Sequence, residues 1–188
     1  FLDSSVELVF SRETLEHLTY RDLINHLIEC HRVLKKGGKV RICVPDLDLM
    51  VQNFINRDKD FKVERETWEI NEDLPTDNHS EFFVAKIMYH DHYYNHNFET
   101  LSNCLKKVGF DNIVRSNKGD FNCEDDTINS SLKNTETEKG KNNLLIVTGE
   151  KILDNPKIEK FVIKEQKNLL NIFLSKYLNL EIRKSNKR

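Results

Sequence analysis

The chain has 188 residues, 38% hydrophobic and 32% charged, with a formal net charge of −2. That is enough apolar content for a single core, but no window approaches the roughly 20 apolar residues that a membrane-spanning helix needs. Its four cysteines, Cys30, Cys43, Cys104 and Cys123, are widely spaced with no Cys-x-x-Cys pair. This argues against a zinc knuckle or a disulfide scaffold and reads as reduced thiols, with the cytoplasm as the default compartment.

Val6 to Phe10 carries one charge, Glu7, and its length fits a largely buried strand. A helix follows. Thr19 with Asp22 forms a capping-box pattern, and Tyr20, Leu23, Ile24, Leu27, Ile28, His31 and Leu34 recur at helical spacing. Its stop is expected at Lys35-Lys36-Gly37-Gly38, where cations suit the negative helix end and glycine accepts a left-handed cap. From Lys39 to Val44 the period becomes two, with Val40, Ile42 and Val44 on one face and Lys39, Arg41 and Cys43 on the other. Pro45 ends this strand, and Asp46 or Asp48 can cap a helix carrying Leu47, Met50, Val51 and Phe54. The alternation of strand and helix implies parallel strands joined by helical crossovers, an α/β fold.

Residues 57–80 are charged and weakly periodic and read as a surface excursion, and Phe82 to His96 mixes apolar residues with histidines. Asn97 can cap a further helix, with Phe98, Leu101, Leu105 and Val108 on one face and Gly109 closing it. Asp111 to Ser116 and Asn143 to Thr148 read as two more strands, joined by 26 residues, Asn117 to Asn142. A connection of that length is usually functional or mobile. Beyond it, Asn155-Pro156 starts a helix with a broken apolar stripe and basic residues opposite. Residues 151–188 hold 10 Lys/Arg against 4 Asp/Glu, so this tail is +6 and the remainder −8. Its cations alternate with an apolar stripe rather than with stacking aromatics, so no nucleic-acid partner is expected. Two units follow: a domain over residues 1–151 and a basic amphipathic tail over 152–188.

Three stretches, DSSVELVFSRETLEHL, HRVLKKGGKVRICVPDL and HYYNHNFETLSNCLKKVGFDNI, together resemble the second half of a class I S-adenosylmethionine-dependent methyltransferase. The resemblance is closest to the small bacterial type and covers residues 1 to about 151. Its most specific part is Glu16-His17-Leu18 followed at this distance by Arg32-Val33-Leu34 and Gly37-Gly38. It implies a Rossmann-like sheet in which Val6–Phe10 is the fourth strand, Lys39–Val44 the fifth, and the final pair the sixth and seventh. The family's glycine-rich loop and its ribose-binding acid have no counterpart here. Three βα units of roughly 30 residues each are therefore expected ahead of Phe1. The chain reads as a fragment that binds cofactor poorly on its own.

The resemblance implies S-adenosylmethionine as cofactor, with Ser11, Arg12 and Glu13 along its methionine portion, because ligands of open α/β sheets bind beyond the carboxyl ends of the strands. His17, at the rim of that crevice, and His92, where the family usually carries a histidine, are the candidate catalytic bases. Asp46, just after the fifth strand, and Tyr94 are the candidate substrate contacts. Each has a structural alternative: Asp46 as a helix cap, His17 as a helix-start residue, and His92 with Tyr94 as packing beneath the sheet edge. The spacing H-D-H-x-x-x-H places His92 and His96 on one helical face, but no His-Glu-x-x-His signature is present and no metal is expected.

The leading expectation is methyl transfer to a small-molecule acceptor such as a sugar or a lipid precursor. The alternative is a non-catalytic, degenerate methyltransferase-like module that binds a partner. A dinucleotide oxidoreductase would need the same glycine loop and would lack the Glu-His-Leu and Gly-Gly pairing. Self-association is expected through the C-terminal helix or an exposed sheet edge.

Overall fold

A computed structural model describes residues 1–57, 78–88, 92–121, 129–130, 132–133 and 144–154. The expected tail helix, Cys123, His90 and most of residues 57–80 and 117–142 lie outside the described residues. Four strands and four α-helices are described: β1 (Val6–Arg12), α1 (Tyr20–Val33), β2 (Leu34–Pro45), α2 (Leu47–Asn56), α3 (His79–Met88), α4 (Phe98–Lys107), β3 (Phe110–Arg115) and β4 (Leu144–Lys151). They form an open α/β sheet in the order β1-β2-β4-β3. β1 and β2 run parallel, joined through α1, while β4 lies antiparallel to both β2 and β3. The strand-helix-strand alternation and the closing strand pair are those read from the sequence, and the fold is Rossmann-like.

The core lies between the sheet and two helices. Leu23, Ile24 and Leu27 of α1 and Leu101 and Leu105 of α4 pack with Val40, Ile42 and Val44 of β2 and Leu145 and Val147 of β4. α1 starts on Thr19, whose hydroxyl accepts from the Asp22 amide at 3.3 Å and donates to the Asp22 carboxylate at 2.7 Å. α4 starts on a full capping box, with the Asn97 side chain and Thr100 exchanging hydrogen bonds. Both caps satisfy amides that a helix start leaves without intrahelical partners. The opposite face of β2 is also covered. Arg41 is fully buried there, donating to Thr148 Oγ1 and to the Asn117 carbonyl at 3.0 Å each.

The Lys35–Gly38 segment differs from its expected role as a helix cap. α1 already ends at Val33, with Leu34 as its C-cap, and the ladder with β1 jumps from Val6↔Leu34 to Leu8↔Lys39, so the intervening residues form an irregularity within β2. Gly37 takes φ +80°, the left-handed region where glycine carries no Cβ penalty. Gly38 is needed for space: a Cβ there would lie 2.8 Å from the Lys35 carbonyl oxygen and 3.1 Å from that of Glu7. Because both are backbone atoms in a packed ladder, Gly38→Ala is expected to destabilise the protein by about 1–3 kcal/mol in urea unfolding. A variant as stable as wild type would show that the ladder shifts freely here.

Candidate functional site

β1 extends two residues further than expected. Ser11 and Arg12 are still in the ladder, opposite Ile42 and Cys43, and Glu13 is the residue that leaves it. Glu13 turns at φ +48° while its amide donates to the Cys43 carbonyl at 2.8 Å. The Arg12 guanidinium meets the Glu13 carboxylate at 3.3 Å, and Ser11, Arg12 and Glu13 are all half-buried. A short 3-10 turn, Leu15–His17, then carries the chain toward α1, with Leu15 and Glu16 buried and His17 partly exposed.

The segment from His92 to Asn97 is not helical, which corrects the expected helical face of His92 and His96. It is held instead by backbone pairing at two strand ends. The amides of Tyr93 and Tyr94 donate to the Glu16 carbonyl at 2.8 and 3.2 Å, just beyond β1. The Leu47 amide donates to the His96 carbonyl at 2.9 Å, and Asp46 bridges to His96, just beyond β2. The segment therefore crosses the carboxyl ends of the two parallel strands, where an open α/β sheet has its crevice.

This threading brings His92 against His17, edge to face, with ring centroids 4.8 Å apart. The two candidate bases, separated by 74 intervening residues, thus form one cluster with Glu16. Glu16 is 1% exposed, and its Oε2 has no hydrogen-bond partner among the described residues. Burial pushes its carboxyl above the ordinary range. Its adjacency to His17 and to the end of β1 was legible in the sequence, but its burial was not.

The candidate substrate contacts, Asp46 and Tyr94, are engaged in contacts of their own. Asp46 is buried: Oδ1 caps α2 by accepting from the Asp48 and Leu49 amides at 3.1 and 3.4 Å, and Oδ2 pairs with Arg115. The cap anticipated as its structural alternative is present. Tyr94 belongs to an aromatic row, 5.7 Å from Tyr20 and 4.9 Å from His96, and burial raises its phenol pKa. Lys107 of α4 donates to the Tyr20 hydroxyl at 2.9 Å and closes that row. His96 is fully buried, neither ring nitrogen making a hydrogen bond of good geometry among the described residues. Cys30 and Cys104 are free, buried thiols pushed up to about 11 by desolvation, so they are unreactive. No helix among the described residues is long and apolar enough to cross a membrane.

Residues 1–42 match the family model described as a methyltransferase domain. No curated protein matches the chain. Among solved structures, it is similar to an S-adenosylmethionine-dependent methyltransferase from Archaeoglobus fulgidus, with 14% identity, a TM-score of 0.43, and coverage of 80% of this chain and 62% of that one. A putative methyltransferase from Haloferax volcanii, solved with a methyltransferase activator, gives 16% identity, a TM-score of 0.42, and coverage of 80% and 56%. Phosphoethanolamine N-methyltransferase 2 from Haemonchus contortus, solved with S-adenosyl-L-methionine, gives 18%, 0.41, 81% and 35%. The chain thus spans less than two thirds of each of these proteins. Glu16-His17-Leu18, Arg32-Val33-Leu34 and Gly37-Gly38 all fall within the matched residues, and the family that this chain resembles is that of the class I S-adenosylmethionine-dependent methyltransferases.

Proposed function

We propose that this chain takes part in S-adenosylmethionine-dependent methyl transfer to a small acceptor such as a sugar, a lipid precursor or another metabolite. The observation that carries the reading is the meeting of His17 and His92 beyond the carboxyl ends of β1 and β2, beside the Ser11–Glu13 exit. The donor set at that exit fits the cofactor. Its methionine portion is a zwitterion, and Arg12 and Glu13 offer one charge of each sign, next in sequence to Ser11. When bound, S-adenosylmethionine supplies an electrophilic methyl group on a sulfonium.

The protein's own work in such a displacement is alignment and exclusion of water, with a base needed only where the nucleophile must lose a proton. His17 is the candidate to accept that proton on an imidazole nitrogen, because it stands at the crevice rim. His92, in ring contact with it, holds its orientation. Asp46 and Tyr94 remain the candidate acceptor contacts, and acceptor choice falls to the loops around them.

The test is calorimetric binding of S-adenosylhomocysteine to the native protein that contains this chain. Replacing both Arg12 and Glu13 with alanine is expected to weaken binding at least about tenfold, the effect of losing charge-assisted hydrogen bonds. No binding by the wild-type protein, or equal affinity in both, would turn the reading toward a partner-binding module.

A further inference from the structure

The geometry points to a binding site for a divalent transition-metal ion formed by Glu16, His17 and His92, a role outside methyl transfer. Each residue offers one ligand atom, a carboxylate oxygen or an imidazole nitrogen, and the three atoms lie within 4.8 Å of one another. Bonds of about 2.0–2.2 Å to a common ion would hold such atoms about 3–4 Å apart, so small side-chain rotations close the site. The frame already exists, because the Tyr93 and Tyr94 amides tie the His92 segment to the Glu16 carbonyl.

The buried carboxylate is the second, independent observation. Glu16 is 1% exposed, its Oε2 is without a hydrogen-bond partner among the described residues, and no cation is paired with it in any described ion pair. Desolvation of this carboxylate outweighs its backbone hydrogen bonds at Glu16 and Thr14 and the nearby His17, and a dication beside it offsets that remaining cost while taking the two imidazoles as its other ligands. Two histidines and one carboxylate select first-row transition ions such as Zn²⁺, Co²⁺ or Mn²⁺ over Ca²⁺ and Mg²⁺, which prefer all-oxygen sites. Three protein ligands also leave coordination positions open, the arrangement of reactive rather than structural sites. Those positions fall at the crevice end of β1, where an oxygen donor of a small molecule can complete the shell. An imidazole nitrogen holding the ion cannot also accept a proton, so ion occupancy and base chemistry compete at His17.

The experiment titrates Zn²⁺ into the metal-stripped chain against a chromophoric chelator and records the visible spectrum of Co²⁺ added alone. One equivalent of each ion is expected to bind, with nitrogen-oxygen ligand-field bands and no thiolate charge-transfer band. His92→Ala and Glu16→Gln are each expected to weaken Zn²⁺ at least about tenfold, the loss typical of removing a ligand or its support. Glu16→Gln keeps the buried shape, and its circular dichroism serves as the control for folding. A variant lacking all four cysteines is expected to bind as wild type does. Absence of stoichiometric Zn²⁺ binding, affinity unchanged in both the His92 and Glu16 variants, or a thiolate band lost with the cysteines would each overturn the site. None of these outcomes bears on S-adenosylhomocysteine binding, so the two readings fail separately.

Discussion

Replacing His17 with alanine is expected to slow methyl transfer by roughly 10²–10⁴-fold, the contribution of a positioned general base, while leaving S-adenosylhomocysteine affinity nearly unchanged. The split follows from position. The charged pair that suits the cofactor is at the β1 exit, Arg12 with Glu13, whereas His17 follows one turn later against His92. The measurement is S-adenosylhomocysteine formed with the native acceptor, in the presence of a chelator so that no ion occupies the histidines. Added imidazole is expected to restore part of the lost rate, since a small base can enter the space that the ring leaves. A His17→Ala protein with the wild-type rate would remove it from the chemistry, and an equal loss in cofactor affinity would reassign it to binding. His92→Ala is expected to produce a smaller rate loss, because His92 acts through the orientation of His17.

The sheet was legible because its signals are local. The period of two from Lys39 to Val44, the capping residues Thr19 and Asn97, and the closing Gly109 each specify a backbone state within a few residues. Local reasoning failed where a distant contact decided the outcome. Arg41 reads only as lying on the face of β2 opposite Val40, Ile42 and Val44, and it is buried there because Thr148 and the Asn117 carbonyl, far along the chain, take its donors. The Lys35–Gly38 segment reads as a helix end, but α1 has already stopped before it and the segment is an irregularity within β2, held between the β1 pairings of Leu34 and Lys39.

The candidate site divides in the same way. That His17 sits in the turn just after β1 follows from order along the chain, and so does the capping role of Asp46. The meeting of His17 with His92 does not, because it needs the Glu16 carbonyl as a docking point for the Tyr93 and Tyr94 amides. Helical spacing suggested His96 as the companion of His92. The extended backbone of that segment instead buries His96 just beyond β2, against Asp46 and Tyr94, and sets His92 against His17. Helical spacing does not hold here, since the segment is shaped by its two anchors and not by its own pattern.

That buried His96 makes stability depend on pH. Desolvation pushes its pKa down from the ordinary 6.5 to about 4, opposed in part by the Leu15 carbonyl. The folded state therefore keeps the ring neutral while the unfolded chain takes up a proton near 6.5, so the unfolded state binds more protons in the interval between. Stability is full above about pH 6.5, falls as the pH drops, and levels off near pH 4, with a total loss of about 3 kcal/mol from this one group. His26 and His31, whose pKa values burial also lowers, act in the same direction below 6.5. Glu16 acts oppositely: its raised carboxyl pKa means that its cost is relieved as the pH falls toward the carboxylate range. His96→Phe isolates the effect, because it keeps a ring of similar size at a position fully enclosed by Tyr94, Leu15 and Asp46 and removes the titration. Urea unfolding at several pH values between 7.5 and 4 is expected to show wild type losing about 3 kcal/mol more than the variant over that interval. Two curves that stay parallel down to pH 4 would mean that His96 can reach water while the fold is intact, and the packing that holds the His92 segment across the two strand ends would then be looser than its burial indicates.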